Sequence, residues 1–285
     1  MIANAAKNWG AQNTPELEEH DLLYFCSVIE ERAGIYLKPA KHDLVRTRLR
    51  SRISARGLES FTEYCDLLKG IAKNDPEWQI FTNLLTTNKT DFFREIKHFE
   101  FLVEKILPTW LKTSEKTFKV WSAASSTGEE PYTLAMVLQR HLGKDRDFKI
   151  LASDIDTEVL KTAQNAVYAV SKKSELPLEY QQSAIELGQD NARGWFRIKP
   201  QIKEKVSFKQ HNLIEKSAPG QNAFDLILCR NVLIYFAQEN VDFVQTKLFS
   251  TLKPGGHLFI GHSESLQGIK HQWKSVGPSI FKKVP

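Results

Sequence analysis

The sequence predicts an α/β fold, a doubly wound parallel sheet preceded by an all-helical N-terminal domain. Two observations predict it. Through the first ~85 residues apolar side chains recur at helical spacing and no strand pattern appears. From residue 118 short β-branched and aromatic runs alternate with helical stretches, the pattern of a parallel sheet built from strand–helix units. A third observation points to the site. The first of these runs passes through the turn "VWSAASSTGEEPYTLAM" (120–136) into a helix, and open sheets bind ligands at the carboxyl ends of their strands.

Leu22, Phe25, Val28 and Ile29 mark a first helix, broken by Gly34 and Pro39 in "AGIYLKP". Val45, Leu49 and Ile53 mark a second, ended at Gly57. "SFTEYCDLL" is a third, with Ser60 as N-cap and Glu63 three residues on. "DPEWQIFTNLLT" is a fourth, with Pro76 near its first position. In the sheet region "FKVWSA", "FKILASD", "KVSFKQHNL", "FDLILCRNVLIYF" and "LKPGGHLFIGHSE" carry five strands. "EPYTLAMVLQRHL" and "TEVLKTAQNAVY" are the helices after the first two. Residues from about 168 to 205 break the repeat, and "GWFRIKPQIKEKV" alternates as an inserted antiparallel hairpin does. The expected division is residues 1–85 for the helical domain and 86–285 for the sheet domain.

The composition is that of a globular chain: 285 residues, 41% hydrophobic and 26% charged. No apolar stretch approaches the ~18 residues of a membrane span, and "MIANAAKNWGAQNTPELEEHD" lacks the layout of a signal peptide. Three cysteines without CxxC spacing argue against a disulfide framework or zinc site, and the eight histidines form no ligand pair. Cytoplasm is the expected compartment and no metal is expected. The net charge of +5 is unevenly spread. Lys38, Lys41, Arg46, Arg48, Arg50, Arg52 and Arg56 stand against Asp43 alone, after an acidic stretch from Glu16 to Glu31. Such a cluster suggests an anionic partner, with a solvated helix face as the alternative.

The turn restricts what the sheet can bind. A pyrophosphate needs bare N–H groups and close backbone approach, yet here one glycine, Gly128, is followed by Glu129 and Glu130. Two carboxylates oppose a polyanion and disfavour NAD and ATP. Acids also suit the first helical turn through the macrodipole, at about 0.3–1 kcal/mol each, which accounts for one of them. For the pair, a cofactor with positive charge and no phosphate fits: S-adenosylmethionine, with its sulfonium and ammonium. Asp154, ending the second strand in "ILASDID", is placed for ribose hydroxyls, with a helix N-cap or first-turn acid as the alternative. The Pro-Gly-Gly turn before the fifth strand suits a methyltransferase sheet.

"TTNKTDFFRE" (86–95), "WSAASSTGEEPYTLAM" (121–136), "ASDIDTEVL" (152–160), "CRNVLIYF" (229–236) and "GHSESL" (261–266) resemble, in order, the signature blocks of the chemotaxis receptor methyltransferase family, CheR. "ARGLESFTEYCDLL" is similar to that family's helical domain, and the match spans about residues 20 to 283. Ala124 departs from the glycine of many relatives but is small enough for the turn, and Lys89 falls where members vary. The resemblance implies a class I S-adenosylmethionine-dependent, Rossmann-like methyltransferase domain, with the insertion as a small antiparallel β-subdomain. It implies methyl transfer from S-adenosyl-L-methionine to glutamate side chains of methyl-accepting chemoreceptors, giving methyl esters and S-adenosyl-L-homocysteine. By similarity Asn88, Thr90, Arg94, Glu130, Asp154, Asn212, Leu213, Arg230 and Asn231 line the cofactor site, with Glu129 the structural member of its pair. Arg94 and Tyr235 are the catalytic candidates: a bidentate carboxylate holder, and a hydroxyl for the reacting oxygen or a wall of the methyl pocket. A surface arginine and a half-buried aromatic are the plainer alternatives. The helical domain, with Arg46, Arg48, Arg50, Arg52 and Arg56, would dock on the receptor's acidic methylation helices. In some members the β-subdomain takes a receptor tail peptide by strand addition, a trait on which members differ. A monomer is the default expectation.

Two rivals fit less well. A nucleic-acid methyltransferase would carry [DN]-P-P-[YF] after the fourth strand or a Pro-Cys nucleophile, where this chain has "RNVLIYF", and it lacks an aromatic–basic stacking platform. A non-catalytic cofactor sensor or receptor scaffold would have no need of Arg94, Asp154 and Tyr235 together.

Overall fold

A computed structural model describes residues 15–37, 41–143, 145–266 and 273–284. Lys38, Pro39 and the first residues of the N-terminal stretch lie outside them. The chain divides into two compact units: Met1–Thr87 with Tyr235–Ala237, and Asn88–Ile234 with Gln238–Pro285.

The first unit is helical. Its helices are α1 (Glu19–Ala33), α2 (His42–Ala55), α3 (Phe61–Gly70) and α4 (Pro76–Leu85). Leu22, Phe25 and Ile29 of α1 and Val45, Leu49 and Ile53 of α2 are all buried, as are Phe61, Tyr64 and Phe81, and both helices pack against α3 and α4. The Phe25 ring lies 5.9–6.4 Å from those of Phe61, Tyr64 and Phe81. Local chemistry sets the helix ends. Gly34, in left-handed conformation at φ +73°, closes α1. The Ser60 hydroxyl accepts the Glu63 N–H at 3.1 Å, and the Glu63 carboxylate reaches back to the Glu59 N–H at 2.8 Å. This is a capping box whose return contact falls one residue early. Tyr235–Ala237 joins this unit through the Tyr36 N–H, which donates to the Tyr235 carbonyl at 2.7 Å.

In the second unit α5 (Lys97–Phe101) runs through a π-helical turn (Leu102–Ile106) into α6 (Leu107–Trp110). Then follow β1 (Thr117–Ser122), α7 (Glu129–His141), β2 (Asp147–Asp154), α8 (Thr157–Asn165) and β3 (Val167–Ala169). Next come α9 (Leu178–Ala184), β4 (Ile185–Leu187), β5 (Trp195–Ile198), α10 (Pro200–Lys203) and β6 (Val206–Gln210). β7 (Phe224–Cys229), α11 (Gln238–Thr251), β8 (Leu252–Ile260), β9 (Trp273–Gly277) and β10 (Ile280–Lys283) complete it. The main sheet has order β6-β2-β1-β7-β8-β10-β9. β6, β2, β1, β7 and β8 are parallel neighbours, as read from sequence. β7 is buried along its whole length, so its run is almost continuously apolar. The one charge it carries, Asp225, accepts from the Lys119 N–H at 2.8 Å and the Lys253 ammonium at 2.9 Å.

Three expectations need correction. The sheet is mixed, because β10 and β9 add an antiparallel edge. α8 ends at Asn165, where Ala166 turns left-handed at φ +58°, so Val167 and Tyr168 belong to a strand. The insertion is a three-stranded antiparallel sheet of order β3-β5-β4 rather than a hairpin. "GWFRIKPQIKEKV" supplies only its central strand, since Pro200 starts α10.

Candidate functional site

The sheet order reverses between β1 and β7, and ligands bind open α/β sheets at the carboxyl ends beside that reversal. The turn after β1 is tied to both neighbours. Ala123 N–H donates to the Leu228 carbonyl at 2.8 Å and Ser125 N–H to the Ser153 carbonyl at 2.9 Å. Gly128 precedes α7 at φ +98°, and a Cβ there would lie 2.8 Å from the Tyr168 hydroxyl and 2.9 Å from the Ala163 Cβ. Its single glycine therefore serves close packing against α8 and β3.

The two turn glutamates take different partners. Glu129 is 1% exposed and pairs with Lys172 of the insertion at 2.9 Å, while accepting the Thr127 hydroxyl at 2.6 Å. Glu130 stays at the end of β1: it accepts the Ser122 hydroxyl at 2.7 Å and faces Arg230 Nε at 3.2 Å. Burial pushes the Glu130 pKa up, against the pull of Arg230. Asp154 braces the turn from β2. Its Oδ2 accepts the Ser126 N–H at 2.8 Å, and its Oδ1 accepts the Asp156 N–H at 3.0 Å. Burial lifts the Asp154 pKa to about 6 against those backbone bonds. The cap of α8 is Asp156, so the capping alternative for Asp154 falls away.

The segment before α5 closes over this turn. Asn88 donates to Asp156 at 2.7 Å, and its carbonyl accepts the Ser126 hydroxyl at 2.8 Å. The Thr90 carbonyl accepts the Lys172 ammonium at 3.1 Å. Arg94 Nη1 donates to the Lys89 carbonyl at 3.0 Å, and its own carbonyl accepts Arg230 Nη2 at 2.6 Å. Asn231 donates to Glu95 at 3.3 Å. Asn212 and Leu213 follow β6, where the Leu213 carbonyl accepts the buried ammonium of Lys247 on α11 at 2.7 Å. Phe93, Glu95, Ser126 and Asn231 all have φ between +48° and +57°. Such strain persists where the surroundings dictate it, and it gathers at functional sites.

Glu95, Lys172 and Lys247 contact the candidate residues Asn231, Glu129 and Leu213, and sequence reading did not single them out. Glu95 adjoins Arg94 within a motif block, and that was its only signal. Glu95, His98 and His262 each bring one ligand atom within 4.8 Å of the others. Arg230 Nε, 3.7 Å from the Glu95 carboxylate, already supplies the cation there.

In the helical unit the predicted docking arginines diverge. Arg52 forms a fork on the buried Glu77, with Nε to Oε1 at 2.7 Å, and Tyr64 bonds the same carboxylate at 2.9 Å. Arg48 donates to the carbonyls of Leu84 and Thr86 at the end of α4. Arg46 pairs with Asp43 at 2.7 Å, and its side chain is half exposed, as is that of Arg56. Arg50 lies partly buried on α2. Tyr235 is half-buried, and burial lowers the Arg48 pKa from its ordinary value.

A sheet of this order, with carboxylates and no phosphate cradle at its switch point, is that of an S-adenosylmethionine-dependent methyltransferase. The chain belongs to the CheR methyltransferase family. Residues 88–281 match the CheR methyltransferase SAM-binding domain and residues 20–86 its all-alpha domain. The chain is 38% identical over 257 residues to the chemotaxis protein methyltransferase of Salmonella typhimurium, covering 90% of this chain and 87% of the relative. The Escherichia coli protein of the same name is 38% identical, covering 89% and 87%. That of Borreliella burgdorferi is 35% identical over 274 residues, covering 94% and 95%. The cofactor is S-adenosylmethionine, and the groups present suit it. Carboxylates stand for its cationic centres, and the buried Arg230 has Nε and Nη1 without hydrogen-bond partners.

Proposed function

We propose that the protein methylates glutamate side chains of chemoreceptors in the cytoplasm. The observation that carries this reading is a match to chemotaxis protein methyltransferases across both units, with Arg94, Glu130, Asp154 and Arg230 gathered around one switch point. When bound, S-adenosylmethionine supplies an electrophilic methyl group on a sulfonium.

The receptor carboxylate, with a reference pKa of about 4.3, is ionised at neutral pH and needs no general base. Its oxygen lone pair would accept the methyl group, and the bound cofactor would keep the released electron pair on sulfur as a neutral thioether. No proton moves. The chain's work is alignment and exclusion of water. Glu130 offsets positive charge at the end of β1, and Asp154 accepts ribose hydroxyls. Asn88, Thr90, Asn212, Leu213, Arg230 and Asn231 complete the cofactor's surroundings. Arg94 would hold a carboxylate, and Tyr235 would bond the reacting oxygen or wall the methyl pocket. Arg46 and Arg56 contribute to docking on acidic receptor helices.

A receptor tail peptide is the natural occupant of the β-subdomain's edge. β4 is an edge strand, and a cleft of about 820 Å³ beside it is lined by Leu178, Gln181, Ile185, Leu187 and Arg197.

Methyl transfer to receptor-containing membranes, with Arg94→Ala and Tyr235→Phe beside the wild type, tests the assignment. Each variant is expected to lose at least about tenfold in kcat/KM, the loss for one transition-state contact. Full activity in both would overturn the roles given to these residues.

A further inference from the structure

The block "GHSESL" (261–266) follows β8, and of it only His262 has been placed so far. Glu264, partly buried, turns its carboxylate toward the loop after β7. Oε2 accepts the N–H of Asn231 at 2.9 Å and of Gly261 at 2.5 Å. Oε1 accepts the N–H of Leu233 at 2.7 Å and, more distantly, of Ile234 at 3.4 Å. One carboxylate thus gathers backbone donors from two loops at the carboxyl end of the sheet. Among the described residues no lysine or arginine pairs with it, so oriented N–H dipoles supply its counter-charge.

Two further features fit this arrangement. Asn231 leaves β7 at φ +57°, a conformation that costs a non-glycine residue energy and needs outside support. Gly261 makes room for it: a Cβ there would lie 2.4 Å from Asn231 Nδ2 and 2.9 Å from both Asn231 N and Glu264 Oε2. The residues so held are the working ones. Arg230 Nη2 donates to the Arg94 carbonyl at 2.6 Å, Asn231 Nδ2 to Glu95 at 3.3 Å, and Ile234 leads directly into Tyr235.

We propose that Glu264 is a positioning residue for methyl transfer: its carboxylate is the template on which the 231–234 loop folds, setting Asn231 for the cofactor. This rests on the proposed function, which gives Asn231 its role.

Glu264→Gln keeps the size but turns an amide NH2 toward one pair of N–H donors. The variant is expected to fold, by circular dichroism and a cooperative thermal transition. Its kcat with receptor membranes should fall at least about 30-fold, with the receptor KM within about threefold of wild type. Glu264→Asp retains a carboxylate and should recover at least about a third of the lost logarithm of rate. A merely structural role would lower stability without this split between kcat and KM. A folded Glu264→Gln enzyme with kcat within about threefold of wild type overturns the proposal.

Hydrogen exchange gives a reading independent of the reaction. The amides of Asn231, Leu233 and Gly261 should exchange faster in the variant, while those of β1 keep their rates. If the wild type methylates no receptor glutamate, the proposed function fails, and unchanged exchange at those three amides then sinks the template by itself. Should Glu264→Gln not fold, the same exchange comparison on Glu264→Asp decides.

Discussion

Asp154 carries the clearest pH signature of any single residue in the site. Its folded pKa of about 6 lies above the roughly 3.9 of an unfolded aspartate. The native state therefore holds this proton more tightly than the unfolded chain. The resulting stabilisation is fully present below about pH 3.9 and is lost as pH rises through about 6. Cofactor affinity has the opposite sign, because the ionised carboxylate is the better acceptor for ribose hydroxyls. Calorimetric titration with S-adenosylmethionine should show binding weakening as pH falls below about 6, and Asp154→Asn should bind weakly with a flat profile. A wild-type affinity constant across that range would remove Asp154 from the ribose. Much at this scale was legible in the sequence, because the turn's glutamates and the strand-end aspartate have meaning wherever a switch point places them. The division of labour between Glu129 and Glu130 had only a weak basis there. It depends on Lys172, which belongs to the inserted segment and reaches Glu129 only through tertiary folding.

The turn between β1 and α7 shows how an element constrains its residues. Gly128 holds φ +98°, with Tyr168 and Ala163 where a Cβ would go. Gly128→Ala should cost at least about 2 kcal/mol from backbone strain and displacement of those neighbours. A lowered thermal midpoint with weaker cofactor binding is the expected result, and an unchanged midpoint would show the turn to be more yielding. β7 was readable because a strand buried along its whole length is a long apolar run. β9 and β10 were not, since Lys274, Lys282 and Lys283 interrupt these short strands with charge. α8 was overextended because "NAVY" keeps an apolar helical spacing, while the left-handed Ala166 that stops it has no glycine to announce it. The three-stranded insertion pairs β5 with two distant short strands, a relation that local alternation does not carry.

Across the whole molecule, the basic cluster of the helical unit links the charge pattern to a partner. Counting charges along α2 treats its arginines as equals, but folding does not. Arg52 is bound to Glu77 beneath the surface, a partner in α4 that no local pattern reveals. Arg52→Ala should destabilise the helical unit by about 1–3 kcal/mol, because the buried carboxylate keeps Tyr64 but loses its closest cation. Arg46→Glu, which loses only the exposed pair with Asp43, should change the melting temperature far less than Arg52→Ala and raise the receptor KM. Wild-type KM should itself rise with salt, as screening weakens attraction between exposed charges. A salt-independent KM would argue that docking is not electrostatic.

The central claim is that an acidic switch-point turn holds a sulfonium cofactor whose methyl group goes to a receptor carboxylate. Incubating the protein with methyl-labelled S-adenosylmethionine and receptor-containing membranes, then treating the receptor with mild base, tests it most directly. The account predicts label on receptor glutamates that base releases as methanol. Base-stable label, label on nucleic acid, or cofactor binding with no transfer to any receptor would contradict it.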